Sequence, residues 1–250
     1  MRKLTAVFLV VLFLCMLLSS CSTTANESEA NGSESETSQI DTQEWMHTEC
    51  SKDYVKEFMS ILETVKGDGL LSGYDLDEKH CYNVTPSAVS ESTDIKIFKF
   101  SNPCASFALI DGEVFEICTS FGGYGFFNAV PWDYDADGTT DLLIVSSWGS
   151  GMHRSDISVF NAKTKQSTVI CTSLEAGNRN TDHDWFVATQ SPSSYTGNPE
   201  EMPIFYVVYS ADVQIGDNLV DLSCLAKSCV GSIDLEDGTP VFHPYKASEE

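Results

Sequence analysis

The residues best equipped for chemistry form one short run, Trp132-Asp133-Tyr134-Asp135-Ala136-Asp137-Gly138-Thr139-Thr140-Asp141-Leu142-Leu143-Ile144. Asp133, Asp135, Asp137 and Asp141 stand at alternate positions broken only at Thr139, with Gly138 where a tight loop must fold back on itself. Four like charges in so short a span repel one another unless a cation lies between them. The donors are all hard oxygens, and alternate carboxylates with one backbone carbonyl suit Ca²⁺, which takes roughly 6–8 oxygens at about 2.3–2.6 Å. Asp and Gly are also ordinary turn residues, so an ion-free surface turn is the competing reading. As calcium ligands these carboxylates would be ionised and occupied, and so unsuited to proton transfer.

An EF-hand shares the first part of this spacing but needs a bidentate Glu at position 12, where this chain has Ile144. The apolar Leu142-Leu143-Ile144-Val145 reads as a buried strand and not as the exit helix of an EF-hand. The run instead resembles the calcium loop of FG-GAP (integrin-type or VCBS-type) β-propeller blades, DxDxDGxxDL followed by a strand. The flanks Phe121-Gly122-Gly123, Trp148-Gly149-Ser150-Gly151 and Ile157-Ser158-Val159-Phe160 extend the likeness over residues 122–166. The resemblance implies a Ca²⁺ cofactor held by the side chains of Asp133, Asp135, Asp137 and Asp141 and by the carbonyl of Thr139. One copy of the motif speaks against a closed propeller of repeated blades.

A second cluster, Trp148-Gly149-Ser150-Gly151-Met152-His153-Arg154-Ser155, combines an aromatic platform, glycines, a titratable imidazole and a cation. Trp148, His153 and Arg154 suit a ligand turn for a carboxylate or sugar, or His153 a general base. A plain hairpin turn whose Arg154 pairs with nearby acids is the alternative. The chain carries no GxSxG, HExxH or GxxxxGK[ST] sequence, so no catalytic residue is assigned.

Residues 1–20 read as a secretory signal, with Arg2 and Lys3 ahead of an apolar run too short to span a bilayer. The run ends in Leu18-Ser19-Ser20-Cys21, which resembles a bacterial lipobox and makes Cys21 the lipidated residue. Residues 21–44 form an acidic tether without Lys or Arg, too polar to build a core. Residues 45–250 suffice for one domain. Beyond Cys15 and Cys21 the cysteines are Cys50, Cys81, Cys104, Cys118, Cys171, Cys224 and Cys229, an odd set in an exported chain that permits disulfides. Cys224 and Cys229 are the candidate pair if Leu225-Ala226-Lys227-Ser228 turns a hairpin. Cys118 and Cys171, in apolar strands, read as small buried hydrophobes.

Within the domain, Tyr54, Val55, Phe58, Met59, Ile61, Leu62 and Val65 recur at helical spacing, predicting an amphipathic helix capped at Thr48 or Ser51 and stopped by Gly67-Asp68-Gly69. After Asp94 short apolar runs alternate with turns such as Asp111-Gly112 and Asp237-Gly238, predicting strands over 95–100, 106–110, 114–118, 125–130, 142–147, 157–160, 168–171, 185–189, 204–209, 219–222 and 230–233. The expected fold is therefore mainly β, an antiparallel meander with a propeller-blade-like calcium hairpin and one N-terminal amphipathic helix packed on it.

The formal net charge of −23 argues against nucleic acid as a partner, whose phosphates need Lys and Arg. The expected function is that of a lipid-anchored protein on the extracytoplasmic face of a cell membrane. It would be a non-catalytic binding module for a protein or glycan, with a structural calcium site. A secreted hydrolase of glycans or peptides is the alternative, as is a solute-binding lipoprotein of a transporter. The latter lacks the βαβ alternation of two-lobed binders.

Overall fold

Thirteen strands, two α-helices and one 3-10 turn (Glu78–His80) account for the ordered elements among the described residues, and every strand pairing is antiparallel. The computed structural model describes residues 44–65, 76–102, 104–118, 122–150, 152, 154–176, 183–192, 195 and 203–245, within one compact unit spanning residues 38–250. The signal, Cys21, His153 and Gly67-Asp68-Gly69 lie outside the described residues, as does all of the tether except Glu44. No helix among the described residues is long and apolar enough to cross a membrane.

The strands form three sheets. β2 (Cys81–Asn83), β3 (Lys96–Phe100), β4 (Ser106–Ile110) and β5 (Glu113–Cys118) make one meander, and β6 (Gly125–Trp132), β7 (Asp141–Trp148), β8 (Arg154–Asn161) and β9 (Gln166–Thr172) a second. The third has the order β1-β12-β11-β10, with β13 also on β12. It comprises β1 (Glu44–Thr48), β10 (Trp185–Ala188), β11 (Phe205–Ile215), β12 (Leu222–Glu236) and β13 (Thr239–Pro244). Helix α1 (Val55–Val65) follows β1, and the single-turn-and-a-half helix α2 (Ser87–Ser92) precedes β3.

Side-chain alternation along the strands stacks these sheets in a definite order. Leu143 and Val145 of β7 point into a core shared with Trp185, Phe186, Val207 and Leu222 of the third sheet. Leu142 and Ile144, one residue out of phase, point into a core shared with Ile97, Ala108, Ile110 and Ile117 of the β2–β5 sheet. The β2–β5 sheet turns its opposite face, Phe98, Phe100, Phe107 and Leu109, to Val55, Phe58, Met59 and Leu62 of α1. The β6–β9 sheet is thus the middle layer, and β7 is buried on both faces, which explains an unbroken apolar run where a one-sided strand alternates.

The amphipathic helix lies where its periodicity demands, but on the β2–β5 sheet and one layer removed from the acidic hairpin. Neither expected cap serves the helix: Thr48 ends β1, and Ser51, four residues ahead of Val55, stands in an isolated bridge to Asn83 and accepts through Oγ from Asp53 N–H at 3.2 Å. β1, β2 and β13 were missing from the sequence expectation. Of the expected strand 219–222 only Leu222 is in a strand, at the start of β12; residues 216–221 form a turn closed by Gly216 N–H donating to Asp221 O at 2.8 Å, with Leu219 at φ 63°.

The expected Cys224–Cys229 bridge is overturned, because Leu225-Ala226-Lys227-Ser228 does not turn. Both cysteines belong to the single strand β12, within the stretch from Leu222 to Ile233 that pairs with β11. Five residues of strand hold them roughly 15 Å apart, far beyond disulfide reach. Cys118 and Cys171 are buried in the two inter-sheet cores, as expected of small hydrophobes. Burial pushes the Cys171 thiol up to about 12.

A bulge in β6 between Phe126 and Asn128 is served from both neighbouring layers. The fully buried Lys99 donates through Nζ to Phe126 O at 3.1 Å, and Thr48 Oγ1 donates to Phe127 O at 3.1 Å. Asn128 exchanges two bonds with the backbone of Val187, at 2.9 and 3.2 Å. Burial holds the Lys99 amine below its ordinary proton affinity, although Cys104, Cys118 and Asp184 pull the other way.

Phe58 anchors α1, its ring stacked on Phe98 with centroids 4.1 Å apart and tilted against Phe100 and Phe107. Phe58→Ala should cost about 3–5 kcal/mol, measured as a drop in the chemical-denaturation midpoint with the denaturant slope unchanged.

Candidate metal centre

The acidic run joins β6 to β7, and its own backbone donors order it. Asp133 accepts from Asp137 N–H through Oδ1 and from Gly138 N–H through Oδ2, both at 3.1 Å. Asp135 Oδ1 accepts from Asp137 N–H at 3.2 Å, and Asp137 Oδ1 accepts from Thr139 N–H at 2.7 Å. Thr139, whose carbonyl the resemblance places among the ligands, thus closes the loop through its N–H. The tight path needs left-handed backbone at Ala136 (φ 54°) and Gly138 (φ 84°), and glycine meets the second at no steric cost.

A second turn, between β8 and β9, closes over the loop. Asn161 Nδ2 donates to Asp135 Oδ2 at 3.1 Å, Ala162 N–H to Asp141 Oδ1 at 2.7 Å, and Lys163 Nζ to Asp137 Oδ2 at 2.9 Å. Sequence reading missed these three residues. Asn161-Ala162-Lys163-Thr164 is recognisable as a turn, but nothing in its spacing tells which acids it meets.

Asp133, Asp135 and Asp141 converge, each offering a carboxylate oxygen within 4.8 Å of the others. Two oxygens bound to one ion at about 2.4 Å can lie no farther apart than about 4.8 Å, so this triangle admits a shared calcium-sized ion. Asp137, expected as a fourth ligand, is not in that group and faces Lys163 instead. Asp141 opens β7 and is fully buried. Its Oδ1 is satisfied by Ala162, whereas Oδ2 is buried without a hydrogen-bond partner. An unmatched buried carboxylate oxygen among other carboxylates is costly for the protein alone, and a bound proton or cation would lower the cost.

Burial, with Asp135, Asp137 and Asp133 nearby, pushes the Asp141 carboxyl up to about 6, against the pull of the Ala162 N–H. Asp137 is held below the usual carboxylate range by Lys163 and Thr139.

The strands after the loop place Trp148 opposite Arg154 across β7 and β8, with the Arg154 guanidinium 4.9 Å from the Trp148 ring centre. This pair of the expected ligand turn is therefore together. Asp156, two residues along β8, has its carboxyl raised by burial and pulled back by the Trp148 indole. Gly122 and Gly123 cross beneath this turn, with Gly123 N–H donating to Gly149 O at 3.0 Å. A Cβ on Gly123 would lie 2.5 Å from Trp148 Cα, so only glycine fits.

No protein-family model, curated protein or solved structure matches the chain.

The raised value at Asp141 fixes a sign. The folded state holds this proton more tightly than the unfolded chain, whose Asp titrates near about 3.9. Its contribution to stability is present below that value and is lost as pH rises through about 6. In metal-free buffer, urea midpoints should therefore fall between pH 4 and pH 6.5, and Asp141→Asn should flatten that fall.

Proposed function

We propose that this chain is a lipid-anchored, extracytoplasmic binding module without catalysis, whose β6–β7 loop takes a Ca²⁺ ion that holds the hairpin rigid. The observation that carries the cation reading is the buried Asp141 Oδ2, an acceptor without a donor, on a residue whose carboxylate comes within 4.8 Å of those of Asp133 and Asp135. The loop closes on itself through backbone N–H groups that bind both oxygens of Asp133 and one each of Asp135 and Asp137, and Asp141 Oδ2 is the carboxylate oxygen left over. Such a site suits a structural ion: its ligands are charged oxygens, and the ion it holds would cross-brace the entrance to the most buried strand of the middle sheet. The Leu18-Ser19-Ser20-Cys21 sequence supports the anchor, and the net charge of −23 favours a partner other than nucleic acid, a protein or glycan at the cell surface.

An extracellular calcium module binds with Kd around 10⁻⁴–10⁻³ M, so millimolar Ca²⁺ fills it and chelator empties it. Binding linkage at tenfold to hundredfold saturation contributes about 1–3 kcal/mol. For a domain of this size that corresponds to roughly 2–10 °C in melting temperature. Calcium should raise the melting temperature by that amount over chelator, and Asp135→Ala should erase the difference. Identical wild-type melting in both conditions would refute the cation site. The binding role is tested by screening the protein against envelope glycans and secreted proteins with and without calcium.

The anchor has its own test. Cys21→Ala should move the protein from the membrane fraction of the expressing cell to the soluble fraction, because acyl chains contribute about 0.8 kcal/mol per buried CH₂. Continued membrane sedimentation of the variant would count against lipidation at Cys21.

A further inference from the structure

We infer that Lys163 is a tethered competitor of the divalent cation for Asp137, and that it sets how tightly the acidic loop holds an ion. This rests on the cation reading given above. Lys163 Nζ donates to Asp137 Oδ2 at 2.9 Å, while the converging oxygens belong to Asp133, Asp135 and Asp141. The carboxylate at the fifth position of the loop is therefore neutralised by the protein's own ammonium.

Lys163 is not a stray surface charge, because the turn that bears it is fastened to the same loop. Asn161 Oδ1 accepts from Lys163 N–H at 3.1 Å and from Thr164 N–H at 2.7 Å. The same side chain donates through Nδ2 to Asp135 Oδ2 at 3.1 Å, and Ala162 N–H grips Asp141. The ammonium is thus delivered to Asp137 at high effective concentration. The Lys163 side chain is nevertheless 66% exposed, against 20% for Asp137, so it can swing into solvent without leaving a hole.

A cation entering among Asp133, Asp135 and Asp141 meets this positive charge one carboxylate away. Recruiting Asp137 Oδ2 as a further ligand requires the Lys163 contact to break. The ion and the lysine exclude each other at that oxygen, and the affinity of the site reports the difference between them. Lys165, on the same turn, is engaged elsewhere, donating to Asp111 Oδ2 of the β4–β5 turn at 2.8 Å. It provides a charge-matched comparison.

Isothermal titration of the full chain with CaCl₂ tests the inference on wild type, Lys163→Met, Lys163→Arg and Lys165→Met. Removing a like charge several ångströms from a divalent ion should tighten binding of Lys163→Met by about 3–10-fold at low salt, the gain shrinking as salt is raised. Lys163→Arg should bind like wild type, and Lys165→Met should change affinity by less than about twofold. Equal or weaker binding by Lys163→Met, or equal tightening by Lys165→Met, overturns the role of Lys163 while leaving the cation site standing. A wild type that takes up no Ca²⁺ overturns the site itself and this inference with it.

Discussion

β7 is buried on both faces, and the position of everything around the acidic loop follows from that constraint. A strand with a core on each side must alternate Leu142 and Ile144 toward one sheet and Leu143 and Val145 toward the other. A slip of one residue would exchange these two sets between cores of different shape, so the register is tightly specified. Asp141 is the first residue of this strand and is carried into the buried end of the middle sheet with it. Its carboxylate is inside because its neighbours are apolar, not because a carboxylate gains anything there.

Burial of one acid then shapes the electrostatics of the rest. Asp141 raises the cost of further negative charge nearby, and the loop answers with backbone N–H groups aimed at Asp133, Asp135 and Asp137. The β8–β9 turn contributes one amide, one backbone N–H and one ammonium. These donors satisfy most of the carboxylate oxygens, but Asp141 Oδ2 is left over. A hairpin ordered this far by its own chain needs little rearrangement to receive an ion, which lowers the entropic cost of binding.

Polar groups elsewhere in the stack follow the same rule that a break in the ladder must be served by a neighbour. The β6 bulge draws Lys99 from one layer and Thr48 and Asn128 toward the other. A lysine fully out of water is rare and is explained here by the carbonyl it satisfies. These cross-layer bonds tie three sheets that hydrophobic contact alone would let slide.

Much of this was legible in residue order because it depends on local periods. The helix from Val55, the strands from Lys96 to Cys171, the turn at Gly138 and the set of acids in the loop are all set by spacing within a few residues. The sequence alone also carried the Leu18-Ser19-Ser20-Cys21 run and the charge balance. What it did not contain was which sheet meets which: that α1 lies on the β2–β5 layer, that β1 joins β12, that Cys224 and Cys229 share one strand, and that Lys163 faces Asp137 in place of a common centre. Those outcomes depend on contacts between segments distant in the chain, where competing pairings differ by small free energies summed over whole faces. Local propensity determines what each segment can be. The packing of all three layers together decides which side chains meet.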